Sequence, residues 1–314
     1  MDFLAPSSLS EALAAKAQRP DALPIAGGTD VMVELNFDHR RPAALLDLTA
    51  VPELTTLTVP VRGDSAGGDS AGSDSAGRYG AGSDRSGGDG RVGAVRIGAG
   101  VPYTRIIEEL GDVLPGLAMA SRTVGSPQIR NRGTVGGNLG SASPAGDALP
   151  PLLASDAVVE VASVRGRREI PIGEFFLGVK RNALEPDELI TAVLVPPATG
   201  PQQFAKVGTR NAMVIAVCSF ALALHLDRRA VGTGIGSAAP TPVRATAAEE
   251  FLAGALDWSG RGPLAGGVAT RFGELVAAAA APIDDVRGSA AYRRHALAVL
   301  ARRTLSWAWG AYRL

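Results

Sequence analysis

The sequence predicts an α+β fold, with a larger N-terminal region of mixed strands and helices and a smaller C-terminal region of strands followed by helices. The chain has 314 residues, a length that favours about two domains. Short apolar runs alternate with segments of helical periodicity up to about residue 197, where Pro196 and Pro197 end the last strand of this region. Strand patterns and then alanine-rich helical patterns fill the rest of the chain.

The elements of the N-terminal region follow from periodicity, capping residues and turn signals. Helices are predicted over residues 7–18, 29–36, 103–110, 114–123 and 147–154, the last of these in spite of Pro150 and Pro151. Strands are predicted over residues 24–26, 44–48, 54–59, 92–97, 157–163, 168–172 and 189–195. The glycine-rich segment that precedes residue 147 is expected to form loops and turns.

The C-terminal region is predicted to contain strands at residues 202–207, 215–224 and 230–236, followed by helices at 245–256, 263–281 and 289–309. Residues 215–224 are apolar almost throughout, so periodicity alone cannot distinguish a buried strand from a buried helix; the flanking turn signals favour a strand.

Residues 60–91 interrupt the predicted pattern with a low-complexity insertion. Three five-residue repeats related to Gly-Asp-Ser-Ala-Gly occupy residues 63–77, and Tyr79 is the one aromatic side chain in the insertion. Such a composition buries too little apolar surface to offset the entropy cost of ordering. We therefore expect a disordered tip joining two strands of one hairpin, with no function of its own.

Composition excludes several classes of function. Lysine plus arginine and aspartate plus glutamate number 31 each, which gives no bulk charge for binding nucleic acid. The N-terminus lacks a basic region, and the longest apolar run is too short to span a bilayer, so a cytoplasmic protein without a membrane span is predicted. Cys218 stands alone, which excludes an iron–sulfur cluster or a disulfide within this chain. The histidines are far apart, and no metal site is predicted.

Residues 129–147 form the most informative segment of the chain. They carry Gly133, Gly136, Gly137 and Gly140 around short polar side chains, and end at the carboxylate of Asp147. Glycine allows close approach of the backbone to a ligand, and successive exposed N–H groups form a concavity that binds anions. The segment predicts a cradle for a ligand that carries phosphate and hydroxyl groups.

Another glycine loop, the first along the chain, lies upstream at residues 23–30. An apolar strand leads into Gly27 and Gly28, and Thr29 or Asp30 is in position to cap a following helix. A helix start that follows glycines attracts phosphate, although the carboxylate of Asp30 adds a negative charge. Two such loops fit a ligand with two phosphates and a long body.

In these segments the chain resembles the FAD-binding (medium) subunit of the molybdenum hydroxylases, the family of xanthine dehydrogenase and carbon monoxide dehydrogenase. The matching sequences are Ala-Gly-Gly-Thr-Asp-Val at 26–31, Ile-Gly-Ala-Gly at 97–100, Ile-Arg-Asn-Arg-Gly-Thr-Val-Gly-Gly-Asn at 129–138, Ser-Pro-Ala-Gly-Asp at 143–147, Phe-Ala-Lys-Val-Gly-Thr-Arg at 204–210, and residues 282–293. The resemblance implies a two-part FAD-binding domain of the vanillyl-alcohol-oxidase (PCMH) type at 1–197, then a small α+β domain with a three-stranded sheet and helices at 198–314.

The resemblance also implies roles for individual residues in binding FAD. The first loop would wrap the pyrophosphate through its backbone N–H groups, and the second would form the opposite wall. Asp147 would hold ribityl or ribose hydroxyls, and Lys206 would contact the cofactor. Arg130 and Arg132 would either pair with phosphate or face a neighbouring subunit. The implied cofactor-binding residues are Ala26, Gly27, Gly28, Thr29, Asp30, Val31, Thr134, Val135, Gly136, Gly137, Asn138, Ser141, Asp147, Ile190 and Lys206.

No nucleophile or general-base constellation is recognisable, so no catalytic residue is predicted, which fits electron transfer through a cofactor. The resemblance implies partners, namely a small [2Fe–2S] subunit and a large molybdopterin subunit, with NAD+ or another compound as final acceptor. Two alternatives remain open. One is a self-sufficient FAD-dependent reductase on the same fold, and the other is a non-catalytic nucleotide-binding assembly module.

Overall fold

A computed structural model describes residues 1–60 and 93–314, and the predicted insertion at 60–91 therefore lies almost entirely outside the described residues. The N-terminal part begins with a parallel sheet in the order β1-β3-β2. Its elements are β1 (Asp2–Leu4), α1 (Leu9–Gln18), β2 (Leu23–Ile25), α2 (Val31–Asn36) and β3 (Ala44–Asp47). The parallel pairing brings the carboxyl end of β2, and hence the first glycine loop, to one edge of this small sheet.

A second, antiparallel sheet forms the centre of the N-terminal part, in the order β4-β5-β10-β6-β7 among the described residues. Its strands are β4 (Leu57–Thr58), β5 (Val95–Gly98), β6 (Val158–Ser163), β7 (Gly166–Pro171) and β10 (Leu189–Val195). The predicted strand at 54–59 is wrong in its first half, because Pro52–Thr55 form a turn of 3₁₀ helix. Pro52 suits this turn, since its ring fixes φ and its missing N–H is not needed there.

Helices and one short hairpin surround these sheets. The helices are α3 (Tyr103–Glu109), α4 (Pro115–Arg122), α5 (Pro127–Arg130), α6 (Val135–Ser141), α7 (Leu149–Ala154) and α8 (Ile172–Phe175). The hairpin pairs β8 (Phe176–Gly178) with β9 (Arg181–Asn182). Pro150 and Pro151 lie in the first turn of α7, where a missing N–H breaks no helical hydrogen bond. Aliphatic side chains from both sheets and from these helices form one continuous core.

The glycine-rich segment at residues 129–147, the second glycine segment along the chain, was expected to form loops and turns. This expectation is wrong, because residues 127–141 are largely helical. Ser126 caps α5 and Thr134 caps α6, each with its side-chain oxygen accepting a backbone N–H. Glycine is a poor helix former, yet Gly136 is required by packing: a Cβ there would lie 2.5 Å from the carbonyl oxygen of Ala99. Close packing against Ala99, which directly follows β5, therefore overrides the low helix propensity of the segment.

The C-terminal part consists of an antiparallel sheet with helices on one face. Its strands, in the order β11-β12-β13, are β11 (Gln202–Val207), β12 (Cys218–His225) and β13 (Ala230–Gly236). The helices are α9 (Thr246–Ala255), α10 (Val268–Ala279) and α11 (Ala290–Arg313). Every residue of β12 is buried, because the helices cover one face and α4 and α7 of the N-terminal part cover the other. Burial on both faces explains why the periodicity of this strand was ambiguous.

The two parts meet backbone to backbone where α7 lies on β13. A Cβ at Gly232 would lie 2.0 Å from the carbonyl oxygen of Ala154, and one at Gly234 would lie 2.1 Å from that of Pro150. A salt-bridge network extends the contact, since Asp156 pairs with both Arg228 and Arg244. Across the described residues, none of the helices combines the length and apolarity needed to cross a membrane.

Candidate functional site

A cavity of about 740 Å³ lies between the two glycine segments, within the usual range for cofactor pockets of roughly 300–1,000 Å³. Its wall combines the first loop, α6 with the segment that follows it, the β8–β9 hairpin and the start of β10. The structure brings thirteen of the fifteen predicted residues to this wall: Ala26, Gly27, Gly28, Thr29, Asp30, Val31, Thr134, Gly136, Gly137, Asn138, Ser141, Asp147 and Ile190. Val135 is buried in the core, and Lys206 lies behind Asp147.

The first glycine loop presents free hydrogen-bond donors to the cavity. Within the part of the chain that the structure describes, the backbone N–H groups of residues 27–31 have no acceptor. Gly28 has a φ of +72°, which turns the loop, and a Cβ on Gly27 would lie 1.7 Å from the carbonyl oxygen of Arg132. Asp30 takes the N-cap position of α2 but makes no capping bond with its side chain, so neither Thr29 nor Asp30 caps as predicted. Successive free N–H groups of this kind form an anion-binding concavity.

Most backbone N–H groups of the second glycine segment donate to acceptors within the protein. Gly136 N donates to the carbonyl oxygen of Ala99 at 3.2 Å, and Gly137 N donates to Thr134 Oγ1 at 2.9 Å. The segment therefore contributes a tightly packed wall more than a set of free N–H groups. An acceptor is free instead, because Asn138 Oδ1 is buried without a hydrogen-bond partner among the described residues. A buried, unpaired acceptor is costly unless a ligand donates to it.

Asp147 also lines the cavity, and it forms a buried ion pair. Lys206 Nζ donates to Asp147 Oδ2 at 2.6 Å, and also to the carbonyl oxygens of Thr123 and Val214. Burial raises the pKa of Asp147, and the Lys206 ammonium and Thr123 hydroxyl act against this shift. The second carboxylate oxygen, Oδ1, is buried and has no partner in the described chain. It is an acceptor available to a ligand hydroxyl.

Several wall residues were not anticipated from the sequence. Tyr103 is 3% exposed, and its hydroxyl is another buried polar atom without a partner among the described residues. Other wall residues come from α2, from the loop that follows it and from the β8–β9 hairpin, and they are Glu34, Arg40, Lys180 and Arg181. No sequence signal marks them, because the hairpin contacts α2 only through the tertiary fold.

The alternatives for the two arginines beside the second segment are also addressed by the geometry. Arg130 Nη1 donates to the carbonyl oxygens of Val124 and Gly125 at 3.0 and 3.2 Å, and so holds the loop before α5. Arg132 borders a separate small cavity of about 120 Å³.

Cys218 is buried in the C-terminal sheet, and burial raises the pKa of its thiol to about 12.

Comparison with known proteins identifies the family. Residues 1–65 and 89–198 match the FAD binding domain in molybdopterin dehydrogenase, and residues 203–308 match the CO dehydrogenase flavoprotein C-terminal domain. The chain belongs to the FAD-binding subunits of the molybdopterin dehydrogenase family. FAD is the cofactor of this family, and the chain is an oxidoreductase subunit on the predicted α+β fold.

Relatives and solved structures support the assignment along most of the chain. The nicotinate dehydrogenase FAD-subunit of Eubacterium barkeri is 32% identical over 265 residues, which cover 81% of this chain and 80% of that protein. The putative xanthine dehydrogenase FAD-binding subunit of Escherichia coli K12 is 29% identical and covers 96% of this chain and 93% of its own. A carbon monoxide dehydrogenase structure from Hydrogenophaga pseudoflava has a TM-score of 0.80 at 26% identity, covering 99% of this chain and 98% of that one.

The residues of the cavity fit FAD. The free N–H groups of residues 27–31 suit a diphosphate, which needs several donors at close range. The unpaired oxygens of Asn138 and Asp147 accept hydrogen bonds, so they suit the hydroxyls of a ribityl chain or ribose. Glycines replace side chains where the two segments touch, which keeps the space between them open.

Proposed function

We propose that this chain is the FAD-carrying electron-transfer subunit of a multisubunit molybdenum hydroxylase. The observation that carries the proposal is the cavity, where free N–H groups and unpaired buried oxygens match a diphosphate and a polyol. FAD, when bound, supplies one- and two-electron redox chemistry. A small [2Fe–2S] subunit and a large molybdopterin subunit are the proposed partners, NAD+ or another compound is the acceptor, and the cytoplasm is the location.

The proposed cofactor contacts follow the polarity of the wall. Backbone N–H groups of residues 27–31, which follow Ala26, hold the diphosphate, and α6 with Thr134 at its cap closes the opposite side. Val135 anchors α6 in the core beneath that wall. The remaining proposed contacts, which meet hydroxyls or the apolar ring faces, come from Gly136, Gly137, Asn138, Ser141, Asp147 and Ile190.

Lys206 has a positioning role in this proposal. Its ammonium bonds one carboxylate oxygen of Asp147 and leaves the other free, so the carboxylate is held in a fixed orientation. Because Lys206 belongs to β11 and Asp147 precedes α7, the site is completed by both parts of the chain. We place the domain boundary between residues 197 and 198.

Expression of the full chain alone tests the proposal. The protein should be yellow and carry about one FAD per chain, and it should show no hydroxylase activity without partners. Co-expression with a cysteine-rich small subunit and a molybdopterin subunit should give a stable complex that oxidises its substrate.

Two outcomes of that experiment would contradict the proposal. Colourless protein that does not take up FAD would favour a non-catalytic assembly module. Efficient oxidation of NADH or NADPH by the lone chain, coupled to reduction of a small substrate, would favour a self-sufficient reductase.

A further inference from the structure

The acidic and basic side chains at one end of the cavity wall are largely paired with one another. Glu34 of α2 accepts a hydrogen bond from Lys180 Nζ at 2.5 Å and lies 3.5 Å from Arg40 Nη1. The positive charges of Lys180 and Arg40 are therefore both paired with the carboxylate of Glu34. Opposite charges at such distances hold each other, so neither Lys180 nor Arg40 is free to meet a ligand without losing Glu34.

Two other wall carboxylates pair with cations from outside the cavity, although Asp147 keeps its Oδ1 atom unpaired within the described residues. Glu188 forms a salt bridge with Arg168 at 2.7 Å, and Asp147 forms one with Lys206 at 2.6 Å. Arg181 differs from these groups: it lies on the wall, and residues 1–60 and 93–314 provide no carboxylate or other acceptor for its guanidinium. Arg181 is therefore a wall cation that has no counter-ion among the described residues, and its guanidinium is available to bind an anionic ligand.

The backbone that carries Arg181 is held in place from two sides. Lys180 N donates to the carbonyl oxygen of Ala142 at 3.1 Å, and Asn182 Nδ2 donates to that of Gly140 at 3.0 Å, which ties the hairpin to α6. The Lys180–Glu34 pair ties the same hairpin to α2, directly after the first glycine loop. Arg181 thus lies on a short strand fixed between the two segments that form the cavity.

We propose that the guanidinium of Arg181 binds the diphosphate of FAD, opposite the free N–H groups of the first loop. This inference rests on the proposed function. Backbone N–H groups are neutral donors, and Asp30 adds a negative charge to the same wall, so a dianionic diphosphate needs a cation nearby. Arginine matches phosphate in geometry through paired N–H donors, and it stays charged at any physiological pH.

Titration of the full-length apoprotein with FAD tests the role, using Arg181→Gln, Arg181→Lys and the control Arg303→Gln, an exposed arginine of α11. A charge-assisted bond from an exposed arginine predicts a Kd for FAD about tenfold higher in Arg181→Gln. Arg181→Lys should fall between this variant and the wild type, and Arg303→Gln should bind as the wild type does. ADP has the diphosphate but no flavin. As a competitor of FAD, it should therefore lose affinity for Arg181→Gln by the same factor as FAD does. Salt should weaken binding less in Arg181→Gln than in the wild type.

The outcomes separate this inference from the proposed function. Wild-type protein that fails to bind FAD overturns both. Wild-type protein that binds FAD, with Arg181→Gln binding equally tightly, overturns the role of Arg181 alone. A loss of FAD affinity without a loss of ADP affinity also overturns it, because the contact would then lie away from the diphosphate. Equal thermal midpoints of the apoproteins show that the comparison is made between folded chains.

Discussion

At the scale of single residues, the buried pair of Asp147 and Lys206 makes the sharpest energetic prediction. Both side chains are about 10% exposed, so removing the cation leaves a carboxylate uncompensated in the interior. Lys206→Met should lower the free energy of unfolding of the apoprotein by about 3–5 kcal/mol. Urea unfolding measures the loss. The double variant Asp147→Asn/Lys206→Met should recover most of it, and a single variant as stable as the wild type would contradict the pairing.

Gly27 makes a second prediction at this scale, because its Cα hydrogen faces the carbonyl of Arg132. Gly27→Ala forces the two glycine segments apart, and we expect a loss of about 1–3 kcal/mol in stability with a large loss of FAD affinity. Gly140→Ala is the matched control, since it lies on the same wall and its Cβ would meet only Ile190, at 3.8 Å. Equal FAD affinities in the two variants, measured by titration, would argue against a close contact at Gly27.

The sequence predicted the glycine positions of the site better than its charges. Gly27 and Gly28 were recognisable because they stand between a predicted strand and a predicted helix start, although a glycine pair by itself more often marks an ordinary turn. Arg181 was not, because its importance depends on which neighbouring carboxylates are already paired. The sequence also did not show which backbone N–H groups are free. Free N–H groups were expected in both glycine segments. The contact of Gly136 with Ala99 shows that the second segment uses its N–H groups in hydrogen bonds within the protein.

At the scale of elements, the contact of α7 with β13 depends on glycine. Gly234→Ala would place a Cβ 2.1 Å from the carbonyl oxygen of Pro150, so the helix must move and the C-terminal sheet loses its cover. We expect a loss of about 1–3 kcal/mol or more. Gly254→Ala in α9 has open space around its Cβ and should instead stabilise by about 0.5–1 kcal/mol, since alanine favours helix. Denaturation of the two variants side by side should give opposite signs; equal signs would contradict this packing.

Elements with clear periodicity or clear end signals were predictable from the sequence. The bounds of β10, β11 and β13 agree with the predicted strands, and α1 begins just after the serines that were expected to start it. The helices α5 and α6 were not predicted, because α5 has only four residues and α6 contains three glycines. Their capping serine and threonine were the local signal, but a cap is persuasive only when a periodic apolar run follows it.

At the scale of the whole molecule, cofactor binding should stabilise the fold through mass action. FAD at 100 times its Kd should raise the free energy of unfolding by about 2.7 kcal/mol. Thermal unfolding with increasing FAD measures this rise in midpoint. Gly27→Ala should show little rise at the same concentrations. A wild-type midpoint that does not change with FAD would contradict specific binding to the folded chain.

His225 makes stability depend on pH near neutrality. Burial lowers the pKa of this histidine below its ordinary value of 6.5, and its Nε2 lies 3.0 Å from the carbonyl oxygen of Ala154. The unfolded chain therefore takes up a proton below about pH 6.5 that the folded chain resists, so stability should fall as the pH falls, by up to about 1.4 kcal/mol per pH unit. Urea midpoints at pH 7.5 and 5.5 should differ more in the wild type than in His225→Gln. A gap between the two proteins that is independent of pH would contradict this.

The position of Lys206 has a consequence for recombining these proteins. The aspartate that lines the cavity comes from one half of the chain, and the ammonium that holds it comes from the other. Consider a chimera that takes its C-terminal part from another member of the family. Its pocket should work only if that part has a lysine at the position of Lys206 on β11, the first strand of the C-terminal sheet. The two halves therefore depend on each other at this point, and a protein rebuilt from separate halves should keep the pair.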